Sequence, residues 1–203
     1  MSHDSAMGSA GLPAMTIEEW ADLDEDEPGE LVDGRLEEEE VPSYLHEAVV
    51  AWLMRVLGAW AAARSGWVFG SESKFAVAPR RGRKADVSVY FPGAPLPGAR
   101  DGIARVPPQI MVEVLSPRPR DARRDRIDKT RDYAGFGVRQ YWIVDPEVRV
   151  LEILELGSDG RYAIALTASE GTHPVPGCEG LTLDLDSLWV ELDRLLGAGE
   201  PPH

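Results

Sequence analysis

The segment Pro108–Pro117, P-Q-I-M-V-E-V-L-S-P, constrains this chain more than any other. Its apolar core is too short for an ordinary helix, is rich in Val and Ile, and is stopped by Pro117 and Pro119. That pattern predicts a strand buried on both faces at the centre of a sheet. Glu113 stands in the middle of it. An unpaired buried carboxylate is costly or takes up a proton, so Glu113 calls for a cation or hydrogen-bond donors close by. A second acid, Asp86, has a similar setting in K-A-D-V-S-V-Y. A divalent metal would serve both. Mg²⁺ accepts one or two carboxylates completed by waters and phosphate oxygens and needs no histidine cage. When bound, it lowers the pKa of water and neutralises charge on a phosphate under attack. Plainer explanations exist for each acid alone: a solvent-side position on an edge strand for Asp86, a structural ion pair for Glu113.

The rest of the chain reads as a mixture of helices and strands. Thr16 and Glu19 form a capping-box signature opening a short helix, T-I-E-E-W-A-D-L. The stretch E-L-V-D-G-R-L-E-E-E-E alternates about Asp33-Gly34 and predicts a β-hairpin with a tight turn. Ser43 caps the strongest helix, Tyr44 to Arg64, whose Val49, Trp52, Leu53, Leu57 and Trp60 recur at helical spacing as a core stripe. G-W-V-F-G-S-E-S-K-F-A-V-A-P predicts a strand or hairpin, R-R-G-R-K a basic turn, and A-D-V-S-V-Y-F a strand. Beyond the central strand, Asp121 to Phe136 predicts a helix with Ile127 and Tyr133 among its few apolar contacts, ended by Gly135 or Gly137. R-Q-Y-W-I-V-D-P and V-R-V-L-E-I-L-E-L predict strands joined by a turn at Asp145-Pro146, and L-D-L-D-S-L-W-V-E-L-D-R-L-L a final short helix. Residues 1–14 and 197–203 are expected to be disordered around one domain over 15–196.

With 203 residues, 43% of them hydrophobic, the chain has material for one sizeable core. It has no long apolar run and no basic-then-apolar leader, and Cys178 is its single cysteine. A cytoplasmic protein without membrane contact, disulfide or cysteine-based zinc site is therefore expected. The net charge of −14 argues at first against a polyanionic partner. Its distribution alters that conclusion. Glu18 to Glu40 holds thirteen acids against the single Arg35, a local −12 that leaves about −2 for everything else. Two stretches are locally basic: Arg80 to Lys84, and Ser116 to Arg131 with seven basic and three acidic side chains. Such runs are most often solvated faces, but both flank the two informative acids.

Taken in order, E-L-V-D-G-R-L, His46 entering the long helix, A-D-V at Asp86, V-E-V-L-S-P at Glu113, D-R-I-D-K at Lys129 and Y-A-G-F-G-V-R-Q-Y-W-I-V-D-P resemble the Uma2 family. That family is similar to the PD-(D/E)XK, or restriction-endonuclease-like, nucleases. The resemblance spans roughly Met15 to Leu195 and is most specific from V-E-V-L-S-P to W-I-V-D-P. It implies an α/β (α+β) fold: a restriction-endonuclease-like core with a central mixed β-sheet flanked by helices, plus an N-terminal β-hairpin. It also implies Mg²⁺ or Mn²⁺ held by Asp86, Glu113 and the backbone carbonyl of Val114, with Lys129 as the catalytic lysine. The parent motif carries its lysine two residues past the glutamate, where this chain has Leu115, and Lys129 on the following helix is the matching position. Ala85 stands where the family usually has proline, which touches local geometry and not ligation. Glu30 matches a glutamate of the family's hairpin, either an extra ligand or second-sphere acceptor or simply one more acid in an acidic run. His46 is read first as a residue that caps or packs at its helix start, with contact to phosphate or water as the other reading.

Lys129 is one of only three lysines, and an ammonium there would orient attacking water and offset charge on the phosphate. An ordinary surface lysine is the plain alternative. Arg118, Arg120, Arg123, Arg124 and Arg126 are candidates for contacts to backbone phosphates without base reading. The resulting expectation is a metal-dependent endonuclease acting on nucleic acid, with DNA as the first choice. A homodimer would suit the cutting of both strands. Two other readings stay open: a non-catalytic nucleic-acid or protein interaction module on the same fold, and a hydrolase of a small phosphoester.

Overall fold

The computed structural model describes residues 14–23, 29–38, 41–116 and 124–198. In chain order the elements are α1 (Ile17–Ala21), β1 (Glu30–Val32), β2 (Arg35–Glu37), α2 (Tyr44–Ala62), β3 (Trp67–Gly70), β4 (Lys74–Ala78), β5 (Arg81–Lys84), β6 (Val87–Tyr90) and β7 (Ile110–Val114). A π-helical turn (Arg124–Lys129) then runs into α3 (Thr130–Phe136), followed by β8 (Gln140–Asp145), β9 (Val150–Leu156), β10 (Tyr162–Ala168), β11 (Thr172–Pro174), β12 (Thr182–Asp184) and α4 (Leu185–Ala198).

Six strands form the central sheet in the order β10-β9-β8-β7-β6-β3. Only β7 and β8 run parallel, so the sheet is mixed. Parallel neighbours need a crossover, and the π turn with α3 supplies it. The sequence alternation in β7 then decides what each face does. Ile110, Val112 and Val114 join Leu53 and Leu57 of α2 and Leu188 and Trp189 of α4 in one apolar cluster. Met111 and Leu115 face the other way, against Phe75 of β4 and Tyr133 of α3. That second layer contains a smaller sheet, ordered β2-β1-β5-β4. The fold is therefore α+β with a central mixed sheet between helices on one side and a small sheet plus α3 on the other.

Local signals place several elements where the sequence predicts them. Thr16 Oγ1 accepts from the Glu19 amide at 3.1 Å while the Glu19 carboxylate accepts from the Thr16 amide at 2.8 Å, a reciprocal capping box. The β1–β2 turn has positive φ at both central residues, 50° at Asp33 and 79° at Gly34, which suits the twist of a two-residue hairpin. Ser43 Oγ accepts from the His46 amide at 3.2 Å and starts α2.

Three expectations are corrected. β3 and β4 form no hairpin: β3 pairs with β6 in the large sheet and β4 with β5 in the small one. The basic segment Arg80–Lys84 is a turn only at Arg80, since Arg81–Lys84 form β5 inside the small sheet between β1 and β4. It fits there because a Cβ at Gly82 would lie 2.3 Å from the Trp20 ring, so only glycine lets α1 close down on it. The segment entering α3 is a π turn, and Ile127 on it is 56% exposed instead of packing inward. The remainder of that predicted helix start, and the predicted disordered ends apart from residues 14, 197 and 198, lie outside the described residues.

Candidate metal centre

The β6–β7 register pairs Val87 with Val112, which sets Asp86 beside Glu113 and Val114 at the end of two neighbouring strands. The Val114 amide donates to Asp86 Oδ2 at 2.7 Å, and His46 Nε2 at the start of α2 lies 3.2 Å from the same oxygen. His46 is thus a neighbour of the carboxylate as well as part of the helix start. Its Nδ1 is buried without a hydrogen-bond partner among the described residues. Glu113 is nearly fully buried, 3% exposed. Its Oε2 accepts from Lys129 Nζ at 2.8 Å and its Oε1 from the Tyr133 hydroxyl at 2.5 Å.

Lys129 reaches this point because it ends the π turn, a feature that recurs at functional sites. Besides Glu113, its ammonium lies 3.2 Å from Glu30 Oε1 and 3.5 Å from Asp125 Oδ1, and it donates to the Lys84 carbonyl at 3.3 Å. Glu30 in turn is locked from three sides. The Lys84 amide donates to its Oε1 at 2.9 Å, and the Arg83 guanidinium donates to its Oε2 at 2.7 Å. Arg83, fully buried, also grips Asp132 of α3 through two bonds of 2.9 and 2.7 Å. One arginine therefore ties the N-terminal hairpin, the small sheet and α3 together behind the site.

The electrostatics follow from crowding four acids into a dry space. Burial pushes the Glu113 carboxyl well up; Lys129 pulls it back, and Asp86, Asp125 and Glu30 push it up again. Asp125 rises for the same leading reason, burial. Burial works against the Lys129 ammonium too, but Glu113, Glu30 and Asp125 hold it well above the usual lysine range, so it is a fixed cation. Burial also opposes ionisation of Glu30, yet Lys129, Arg83 and the Lys84 amide bring its carboxyl below the ordinary value. His46 is raised: burial lowers it, and the hydrogen bond and charge of Asp86 outweigh that.

These groups border a cavity of about 140 Å³ lined by His46, Asp86, Glu113, Val114, Arg124 and Lys129 among others. Among the described residues no group of three or more His, Cys, Asp or Glu side chains is arranged to hold a metal ion. Two carboxylates on adjacent strands at a cavity, in surroundings with surplus negative charge, do fit an ion such as Mg²⁺ that completes its shell with water. Arg124 lines the cavity, whereas Arg126 is drawn off to Glu152 and to Asp145 at 3.7 Å. Arg118, Arg120 and Arg123 lie outside the described residues. Sequence reasoning passed over Arg83, Asp125 and Tyr133. Asp125 was legible as the partner four residues before Lys129, but nothing local marks Arg83 as the one buried member of its basic run.

The central mixed sheet flanked by helices is the restriction-endonuclease-like fold that the sequence leads one to expect. The Uma2 family, described as "Putative restriction endonuclease", matches residues 16–186, and the chain belongs to that family. No curated protein matches the sequence. Among solved structures, the chain is similar to a "putative nuclease belonging to DUF820" from Anabaena variabilis ATCC 29413, with a TM-score of 0.69 and 19% identity over 88% of this chain and 99% of that one. At that identity the likeness speaks for the fold.

Proposed function

We propose that the protein is a Mg²⁺- or Mn²⁺-dependent endonuclease that hydrolyses phosphodiester bonds of DNA in the cytoplasm. The observation that carries this reading is the meeting of Asp86, Glu113 and Lys129 at one cavity, from three different elements. Asp86, Glu113 and the Val114 carbonyl would hold the metal, which when bound supplies an acidified water and charge neutralisation at phosphate. The chain's own groups do the rest. Val114 fixes the orientation of Asp86 through its amide, and Tyr133 fixes Glu113. Lys129, held protonated, acts as an electrostatic partner for phosphate oxygens and not as a base. His46, buried in the first turn of α2, steadies Asp86. Arg124 at the cavity, with Arg118, Arg120 and Arg123 but not the paired Arg126, supplies positive charge for the backbone of the substrate, and a homodimer would present two such sites to a duplex.

The test is calorimetric titration of Mn²⁺ followed by nicking of supercoiled plasmid, with the wild type, Asp86→Ala and Glu113→Ala. Metal binding and nicking by the wild type, both lost in the variants, are expected. Metal binding without nicking would move the substrate to a small phosphoester. Absence of metal binding would favour a non-catalytic interaction module, a reading to which Leu115 in the place of the motif lysine lends some weight.

A further inference from the structure

The Lys129 ammonium is surrounded as a bound cation would be. Three carboxylates and one carbonyl lie around it: Glu113 at 2.8 Å, Glu30 at 3.2 Å, Asp125 at 3.5 Å and the Lys84 carbonyl at 3.3 Å. Lys129 itself is 2% exposed, so this is an interior ion cluster and not a surface pair. With Tyr133 on Oε1, both oxygens of Glu113 already have a donor. Asp125 Oδ1 is buried and lies 3.5 Å from both Lys129 Nζ and Arg124 Nε. Arg83 shares Glu30 and Arg124 lies beside Asp125, so the Lys129 ammonium is the cation that sits on the very carboxylate assigned to the metal.

We infer that Lys129 is the resident counter-ion of the site and that a divalent metal must compete with it for Glu113. The inference rests on the assignment of Asp86 and Glu113 as metal ligands. A metal at Glu113 weakens the hold of that carboxylate on the ammonium, both by sharing its oxygen and by like-charge repulsion. Linkage makes the effect mutual: whatever loosens Lys129 from Glu113 strengthens metal binding by the same factor. The lysine becomes available to a phosphate in the cavity only once the metal has taken over its carboxylate. This order would keep an empty site quiet and its acids compensated.

Calorimetric titration of Mn²⁺ into the full chain tests this, comparing the wild type with Lys129→Met and Lys84→Met. The expected result is about tenfold or greater tightening in Lys129→Met, from removal of a positive charge within a few ångströms of the ligand. Lys84 also lines the cavity but pairs with the exposed Glu72 at 3.2 Å, and its removal is expected to change affinity by less than about threefold. Equal or weaker binding by Lys129→Met, or equal tightening in Lys84→Met, overturns the inference. If Lys129→Met fails to fold, the wild type carries the test through acylation of its three lysines, read by mass spectrometry. Mg²⁺ is expected to raise modification of Lys129 several-fold and leave Lys74 unchanged, while protection or no change at Lys129 overturns it. A plasmid left intact by the wild type, alongside metal tightening in Lys129→Met, removes the nuclease reading but keeps this one. Plasmid cleavage without tightening does the reverse.

Discussion

The two faces of the central sheet carry opposite chemistry on the same strands. Toward α2 and α4, β7 presents Ile110, Val112 and Val114 to a layer of leucines and tryptophans. Toward α3, the same strand presents Met111, Glu113 and Leu115, and a carboxylate occupies the middle of the row. The apolar face contributes stability by removing side chains from water, about 2 kcal/mol for each fully buried aliphatic group. The polar face holds Glu113, Glu30, Asp125 and Asp132 in the dry interior because Lys129, Arg83, Arg81 and Arg124 meet them there. Such clusters are seldom net stabilisers, but removing one member is severe. One face thus keeps the fold, and the other holds reactive groups in place at the expense of stability.

The contrast can be broken most forcefully at Asp86. Asp86→Asn is expected to lower plasmid cleavage by about a thousandfold, several kcal/mol of lost charge stabilisation. Its unfolding free energy should move by less than about 1 kcal/mol, because the amide oxygen can still accept from Val114. A comparable loss of stability would show that Asp86 belongs to the scaffold. Arg83→Met probes the border between scaffold and site. Taking the guanidinium from between Glu30 and Asp132, which leaves Lys129 on the first and Arg81 on the second, is expected to cost about 3–5 kcal/mol in urea unfolding, and a near-neutral result would mean that the cluster relaxes into water.

On the apolar face, Leu53→Ala is expected to cost about 2–5 kcal/mol. Cleavage per folded molecule, measured well below the melting temperature, should stay unchanged, and a specific loss of cleavage would dissolve the distinction between the faces. The smallest effect is in pH dependence. The folded protein holds the Glu30 carboxyl below its ordinary 4.5, so the stability it contributes is fully present above that value and is lost as pH falls through the folded one. The stability gap between the wild type and Glu30→Gln should therefore narrow in acid, and a gap constant with pH would place Glu30 outside the ion cluster.

Much of this arrangement is legible along the chain because its causes are local. A capping box at Thr16 and Glu19, positive φ at Asp33-Gly34 and an apolar run between prolines each depend on residues a few positions apart. The acids at Asp86 and Glu113 stand out for a related reason: an ionisable side chain in an apolar strand conflicts with its own neighbours. Tertiary structure alone decided three matters. It sent β3 and β4 to different sheets, since alternation does not say which partner a strand will find. It turned Arg83 from one of five residues in a basic run into the buried link between Glu30 and Asp132. It also set Lys129 among three carboxylates drawn from β1, β7 and its own π turn. The sequence could name the charges. Which of them meet depends on contacts between residues as far apart as 30 and 129, and only the folded chain determines those.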